Sequence, residues 1–156
     1  MHLNTLLTDK KILWCIHDQA NLMDISHHQV SILTNRYDQY LQSEAVGLPC
    51  TFSDFTFDAL TSHQDLVVFA LAKEKAINHH IIGSFFEKFP ATCQLLITGE
   101  KNQGIKSLVK SIKATGASIC EFKDKVEGKK THFYLIDNNP SQPFISDLPD
   151  YHRLFT

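Results

Sequence analysis

The chain has few cysteines, and the four it has, at positions 15, 50, 93 and 120, include no C-x-x-C pair. This spacing argues against a zinc knuckle and a thioredoxin-like dithiol, and buried, reduced thiols are expected instead. Long apolar runs are also missing: none reaches the roughly 18 residues that suggest a membrane span. The opening stretch, MHLNTLLTDKKILWCIHDQ, lacks a basic segment leading into an apolar run and a small-residue cleavage site. No signal peptide is therefore expected, and a cytoplasmic setting is. Glycine and proline are scarce, at six and five residues, in a chain that is 43% hydrophobic and 21% charged. That is the balance of a folded globule, which excludes a fibrous or disordered chain. With 156 residues, one domain with one core is expected.

What the sequence does contain is an alternation of two periodicities. Apolar runs bounded by polar residues at 11–17, 30–34, 51–55, 66–71, 93–98, 118–122 and 132–137 read as seven strands. Between several of them lie one-sided helical patterns, at Tyr37, Tyr40, Leu41 and Ala45, at Ile77, Ile81, Phe85 and Phe89, and at Ile105, Leu108, Val109 and Ile112. Runs such as LVVFAL and QLLIT need cover on both faces, so the predicted class is α/β with a largely parallel sheet. The last two runs are joined by the short polar KDKVEGKK and are expected to pair antiparallel. Five parallel strands followed by an antiparallel pair is the pattern of the Rossmann-like, methyltransferase-type sheet, seven-stranded with helices on both faces. From NNPSQPF onward the chain is rich in proline and turn residues, and it reads as a tail or linker.

Several stretches invite a chemical reading. LLITGEKNQGIKS, residues 95–107, nearly spells the phosphate-binding loop G-x-x-x-x-G-K-[ST], but Ile105 separates the second glycine from Lys106. One inserted residue at a helix start turns the following side chains by about 100°, so the lysine no longer converges with the backbone nest. Gly99 and Gly104 are expected to shape a strand-to-helix turn. Of the nine histidines, the pairs His27/His28 and His79/His80 are adjacent, whereas ligands on one helix face need a spacing of three or four. No metal site is expected. Cys15 and His17 share a strand face, but nothing nearby supplies an orienting group, and a buried strand cysteine is expected. Within DNNPSQPF, the prolines are split by Ser141 and Gln142, which favours a turn over a catalytic motif.

The cofactor signals of a methyltransferase are weak. Strand one runs into HDQANLMD, which has no glycine for close cofactor approach. Strand two ends at Asn35 and Arg36, where an acidic residue would hold the ribose, and Asp38 comes a turn too late. Strand four ends in ALAKEK, where a polar residue followed by two prolines would grip an amine undergoing methylation.

The order from Leu66 to Asp137 resembles the amino-terminal half of the bacterial ribosomal RNA guanine-N2 methyltransferases of the RsmC and RlmG type. In that family an apolar strand ends in an x-P-K turn, and a helix, a second strand and G-E-N-x-x-G-[VI]-[RK]-S follow. Gly99, Glu100, Asn102 (shifted by one place), Gly104, Ile105, Lys106 and Ser107 match this motif; Ala72 stands where the family usually has proline. The first 60 residues match only weakly. The resemblance implies a degenerate methyltransferase-like domain over residues 1–139, with residues 140–156 leading toward a carboxy-terminal catalytic domain that binds S-adenosylmethionine. It further implies that this half binds no cofactor and carries no catalytic residue, supporting its partner and the placement of ribosomal RNA.

Charge adds a candidate contact surface. Residues 99–130 hold eight lysines against four acids, a local +4 within a whole at −2, which leaves −6 for the remainder. The candidates for RNA contact are Lys101, Asn102, Lys106, Lys110, Lys113, Lys129 and Lys130. Two alternatives remain open on sequence alone: a stand-alone protein-interaction module, and an active methyltransferase with an unusual cofactor turn.

Overall fold

In the computed structural model, strands β1 (Lys11–Ile16), β2 (Gln29–Thr34), β3 (Cys50–Phe52), β4 (Leu66–Ala70), β5 (Gln94–Thr98), β6 (Ile119–Val126) and β7 (Lys129–Asp137) form one sheet. Their order is β3-β2-β1-β4-β5-β7-β6. The described residues are 3–16, 29–34, 41, 50–52, 64–72, 75–99, 104–126 and 128–144. The first five strands pair in parallel, and β7 runs antiparallel to both β5 and β6. The expected α/β class and seven-stranded order are thus observed.

Alternation along each strand explains the layers. On one face Leu13, Cys15, Val67, Phe69, Leu95 and Ile97 join the buried faces of helices α2 (Lys75–Lys88) and α3 (Ile105–Lys113). On the other face Ile12, Trp14, Leu66, Val68, Leu96, Phe133 and Leu135 pack with Leu3, Leu6 and Leu7 of the short helix α1 (Leu3–Leu7). Each fully buried Leu, Ile or Phe contributes roughly 1.5–3 kcal/mol through area removed from water. Helix α1 is tied to the sheet edge where the Leu3 backbone N–H donates to Asp124 at 2.6 Å. Sequence periodicity missed this helix, because five residues are too few to show one. In the helical pattern at 37–45 only Leu41 is described; it is helical and 48% exposed, not buried on an apolar face.

The β6–β7 pair is longer than the apolar runs suggest. The polar KDKVEGKK, expected as the connection, supplies ladder residues on both strands, with Gly128 in the turn between them. An edge ribbon satisfies its backbone by pairing alone, so polar side chains do not end it.

Residues 138–144 return along α2 instead of leaving the domain. The buried Asn138 side-chain amide donates to the carbonyls of Phe89 (2.7 Å) and Pro90 (3.3 Å), satisfying groups that a helix end leaves open. The Ser141 and Gln142 N–H groups both donate to the Thr115 carbonyl, at 2.7 and 3.0 Å. Phe144 then packs beside Phe86, with ring centroids 6.3 Å apart. Asn138→Ala leaves the Phe89 carbonyl without this donor inside the protein, so a loss of about 1–3 kcal/mol is expected, read as a lowered urea midpoint with an unchanged slope.

Candidate functional site

In an open parallel sheet, ligands bind outside the carboxyl ends of the strands, where the strand order reverses. Here the reversal flanks β1, between β2 and β4. The segments after β1 and β2, with His17, Asn35, Arg36 and Asp38, lie outside the described residues, as do His27 and His28. Of the segment between β4 and α2, Leu71 and Ala72 are described, and both are buried. Leu71 and Ala72 are each 2% exposed. The Leu71 N–H donates to the Thr98 carbonyl at 2.8 Å, continuing the β4–β5 ladder. Buried Asn78, from the first turn of α2, accepts from the Ala72 N–H at 2.7 Å and donates to the Ala72 carbonyl at 2.9 Å. Both backbone polar groups of Ala72 are thereby engaged, and its side chain offers none.

The glycines of the near-miss phosphate loop have structural work. A Cβ built on Gly99 would sit 2.8 Å from Leu71 Cδ1, so the bare glycine lets β5 end against the β4 turn. Gly104 has φ 78° and ψ 26°, the left-handed conformation that favours glycine, and its carbonyl accepts the Leu108 N–H at 3.0 Å. Between the starts of α2 and α3 lies an open cleft of about 40 Å³, lined by Lys75, Asn78, His79, Gly104, Ser107 and Leu108, which is room for a few water-sized groups.

The structure separates the predicted RNA-contact residues. Along α3, Ile105, Leu108, Val109 and Ile112 are buried while Lys106, Lys110 and Lys113 are exposed, as their spacing predicts. The helix starts at the carboxyl edge of the sheet and runs away from it, so Lys113 lies about 10 Å further back than Lys106. Lys129 and Lys130 stand in the hairpin, at that same carboxyl edge, although only the backbone of Lys129 is described. Lys101 and Asn102 lie outside the described residues. Sequence reasoning passed over Lys123 and Lys125 as candidates. The signal was present in the K-D-K and K-K-T-H alternation, which becomes informative once the register pairs Lys123 with His132 and Lys125 with Lys130.

Of the cysteines expected to be buried, Cys15 and Cys93 are buried, whereas Cys120, on edge strand β6, is exposed. His79 is half-buried, with its ring 5.6 Å from that of Phe144. Cys15 is 1% exposed, and burial pushes its thiol far above the ordinary range. Burial, with the Asp65 carboxylate adding to it, pushes Cys93 up to about 12. A thiol held so high has almost no nucleophilic thiolate at neutral pH.

A family model for the methyltransferase small domain N-terminal matches residues 2–137. The chain belongs to that family. It is 25% identical over 96 residues to the ribosomal RNA small subunit methyltransferase C of Vibrio vulnificus, a match covering 60% of this chain and 28% of that protein. The Thermus thermophilus 16S rRNA N2 G1207 methyltransferase RsmC, solved with AdoMet and guanosine, superposes with a TM-score of 0.59 at 17% identity. That superposition covers 87% of this chain and 37% of the Thermus chain. The precorrin-6y C5,15-methyltransferase of Geobacter metallireducens also superposes with a TM-score of 0.59, at 11% identity, over 85% of this chain and 83% of its own. Such identities show a shared fold. The chain spans under a third of the Vibrio relative it matches. No described helix is long and apolar enough to cross a membrane.

Accessibility and thiol chemistry together set the reactivity expected of this family member. Iodoacetamide at pH 8 should alkylate exposed Cys120 in the native protein and spare Cys15 and Cys93, with all three reacting in urea, as mapped by peptide mass.

Proposed function

We propose that this chain is a cofactor-free companion domain of an S-adenosylmethionine-dependent ribosomal RNA guanine-N2 methyltransferase, serving its catalytic half and the placement of RNA in the cytoplasm. The observation that carries this reading is the burial of Leu71 and Ala72 directly after β4. In a catalytic domain of this fold, the turn after that strand must present polar groups to an amine. Here its first two residues are the buried, apolar Leu71 and Ala72, and Asn78 occupies both backbone groups of Ala72. The glycine-free HDQANLMD and the Asn35–Arg36 pair support the same reading for the cofactor side. The residue types after β1 and β2 do not fit S-adenosylmethionine.

The share of the relatives covered also favours a partial unit. The Vibrio and Thermus proteins have most of their length outside the matched region. Residues 140–156 are read as the way toward a catalytic domain, beginning with a stretch that is anchored on α2 as far as Phe144.

Calorimetric titration of this chain with S-adenosylmethionine tests the reading. No binding heat is expected at ligand concentrations up to the millimolar range. Saturable micromolar binding would sink it and favour an active methyltransferase.

A further inference from the structure

The β6–β7 ribbon is longer than the strand it leans on. Thr98, the last residue of β5, pairs with Phe133, so residues 129–132 and their partners 123–126 extend beyond the carboxyl end of β5. Four residues at about 3.3 Å each make an overhang of roughly 13 Å. It is anchored at its base, where the Thr98 hydroxyl donates to the His132 carbonyl at 2.8 Å.

Register assigns the side chains of this overhang to faces. Tyr134 and Ile136 belong to the core under α2 and α3, and residues directly opposite share a face. Lys130 and His132 therefore face the same way as Lys123 and Lys125, toward the side on which α3 begins with exposed Lys106. Lys125 and Lys130 are direct cross-strand partners. Like charges in that position destabilise a ribbon. Neither makes an ion pair among the described residues. Among the described acids nearby, Glu121 contacts the His132 ring nitrogen at 3.2 Å, and Asp124 accepts the N–H groups of Leu3 and Lys125. His132 in turn stacks on Tyr134, with ring centroids 4.6 Å apart.

We propose that this face of the overhang, with Lys123, Lys125 and Lys130 and with Lys106 at the same edge of the sheet, seats a phosphate backbone of RNA. The ribbon holds cationic side chains against their mutual repulsion, with no ion pair to Lys125 or Lys130 among the described residues, and a polyanion lying along this face removes that cost. The ammonium groups project from a paired ribbon and a helix start, so they are spaced before the ligand arrives. Lys110 and Lys113 point the same way chemically but recede along α3, away from this edge. The choice of RNA over an acidic protein rests on the companion-domain reading.

Fluorescence anisotropy of a short ribosomal RNA stem-loop, titrated with this chain across a salt series, tests the proposal. The wild type should bind at low salt, with log affinity falling linearly against log salt. K125Q/K130Q should make that slope shallower by about 1.4–1.8, while K110Q/K113Q keeps the wild-type slope. The melting temperature of K125Q/K130Q should equal or exceed that of the wild type, because a like-charge pair is gone. Absence of wild-type binding, an unchanged slope in K125Q/K130Q, an equal loss in K110Q/K113Q, or a lowered melting temperature would each overturn the site. Poly-glutamate bound as tightly as RNA at matched salt would replace RNA with an acidic protein partner. None of these outcomes bears on the titration with S-adenosylmethionine, so failure of the site and failure of the companion-domain reading are distinguishable.

Discussion

Parallel strands have no hairpin to hold them in place, and here β1, β2, β4 and β5 are kept in register by burying apolar side chains on both faces at once. A one-residue slip would exchange the two faces of a strand, sending Leu13 and Cys15 to the side shaped for Ile12 and Trp14. Two-sided burial consequently sets where each strand ends, and the ends of β4 and β5 define the edge at which function is sought. Leu71 and Ala72 remain in the core past the end of β4, and Gly99 is bare so that β5 can finish against them.

The same burial shapes what this edge offers. A backbone taken out of water must have its polar groups satisfied. At Ala72 the partner is Asn78, an uncharged side chain that gives one acceptor and one donor to a single residue. A turn satisfied from within has less to give a substrate. This is the physical sense in which the domain keeps the architecture of a methyltransferase while the burial of Leu71 and Ala72 supports a companion role. Burial also holds the thiols of Cys15 and Cys93 in their protonated form.

Polar character is concentrated where the two-sided constraint lapses. Beyond Phe133, β7 no longer has β5 beside it, and the ribbon it forms with β6 changes from Phe122 and Phe133 to lysines, Asp124 and His132. Pairing alone sustains that extension, which frees its side chains for contact. The stretch after β7 shows the opposite behaviour, because proline-rich composition did not detach it: Asn138, Ser141 and Phe144 bind it to helix ends and to α2.

The sequence by itself determined the class, the seven strands, the apolar faces of α2 and α3 and the family, since two-sided burial and helical spacing are periodic and leave a local trace. It also determined that the familiar glycine and acidic signals for a cofactor are missing, since those are properties of residue type. Tertiary structure alone decided the rest. That Asn78 closes on Ala72, that Asn138 caps α2, and that Lys125 stands opposite Lys130 depend on which segments meet and in what register. No single segment carries that information. The lysines of α3 and of the hairpin counted as one basic region along the chain, but the direction of a helix and the length of a ribbon separate Lys113 from Lys106 and put Lys106, Lys125 and Lys130 at the same edge of the sheet.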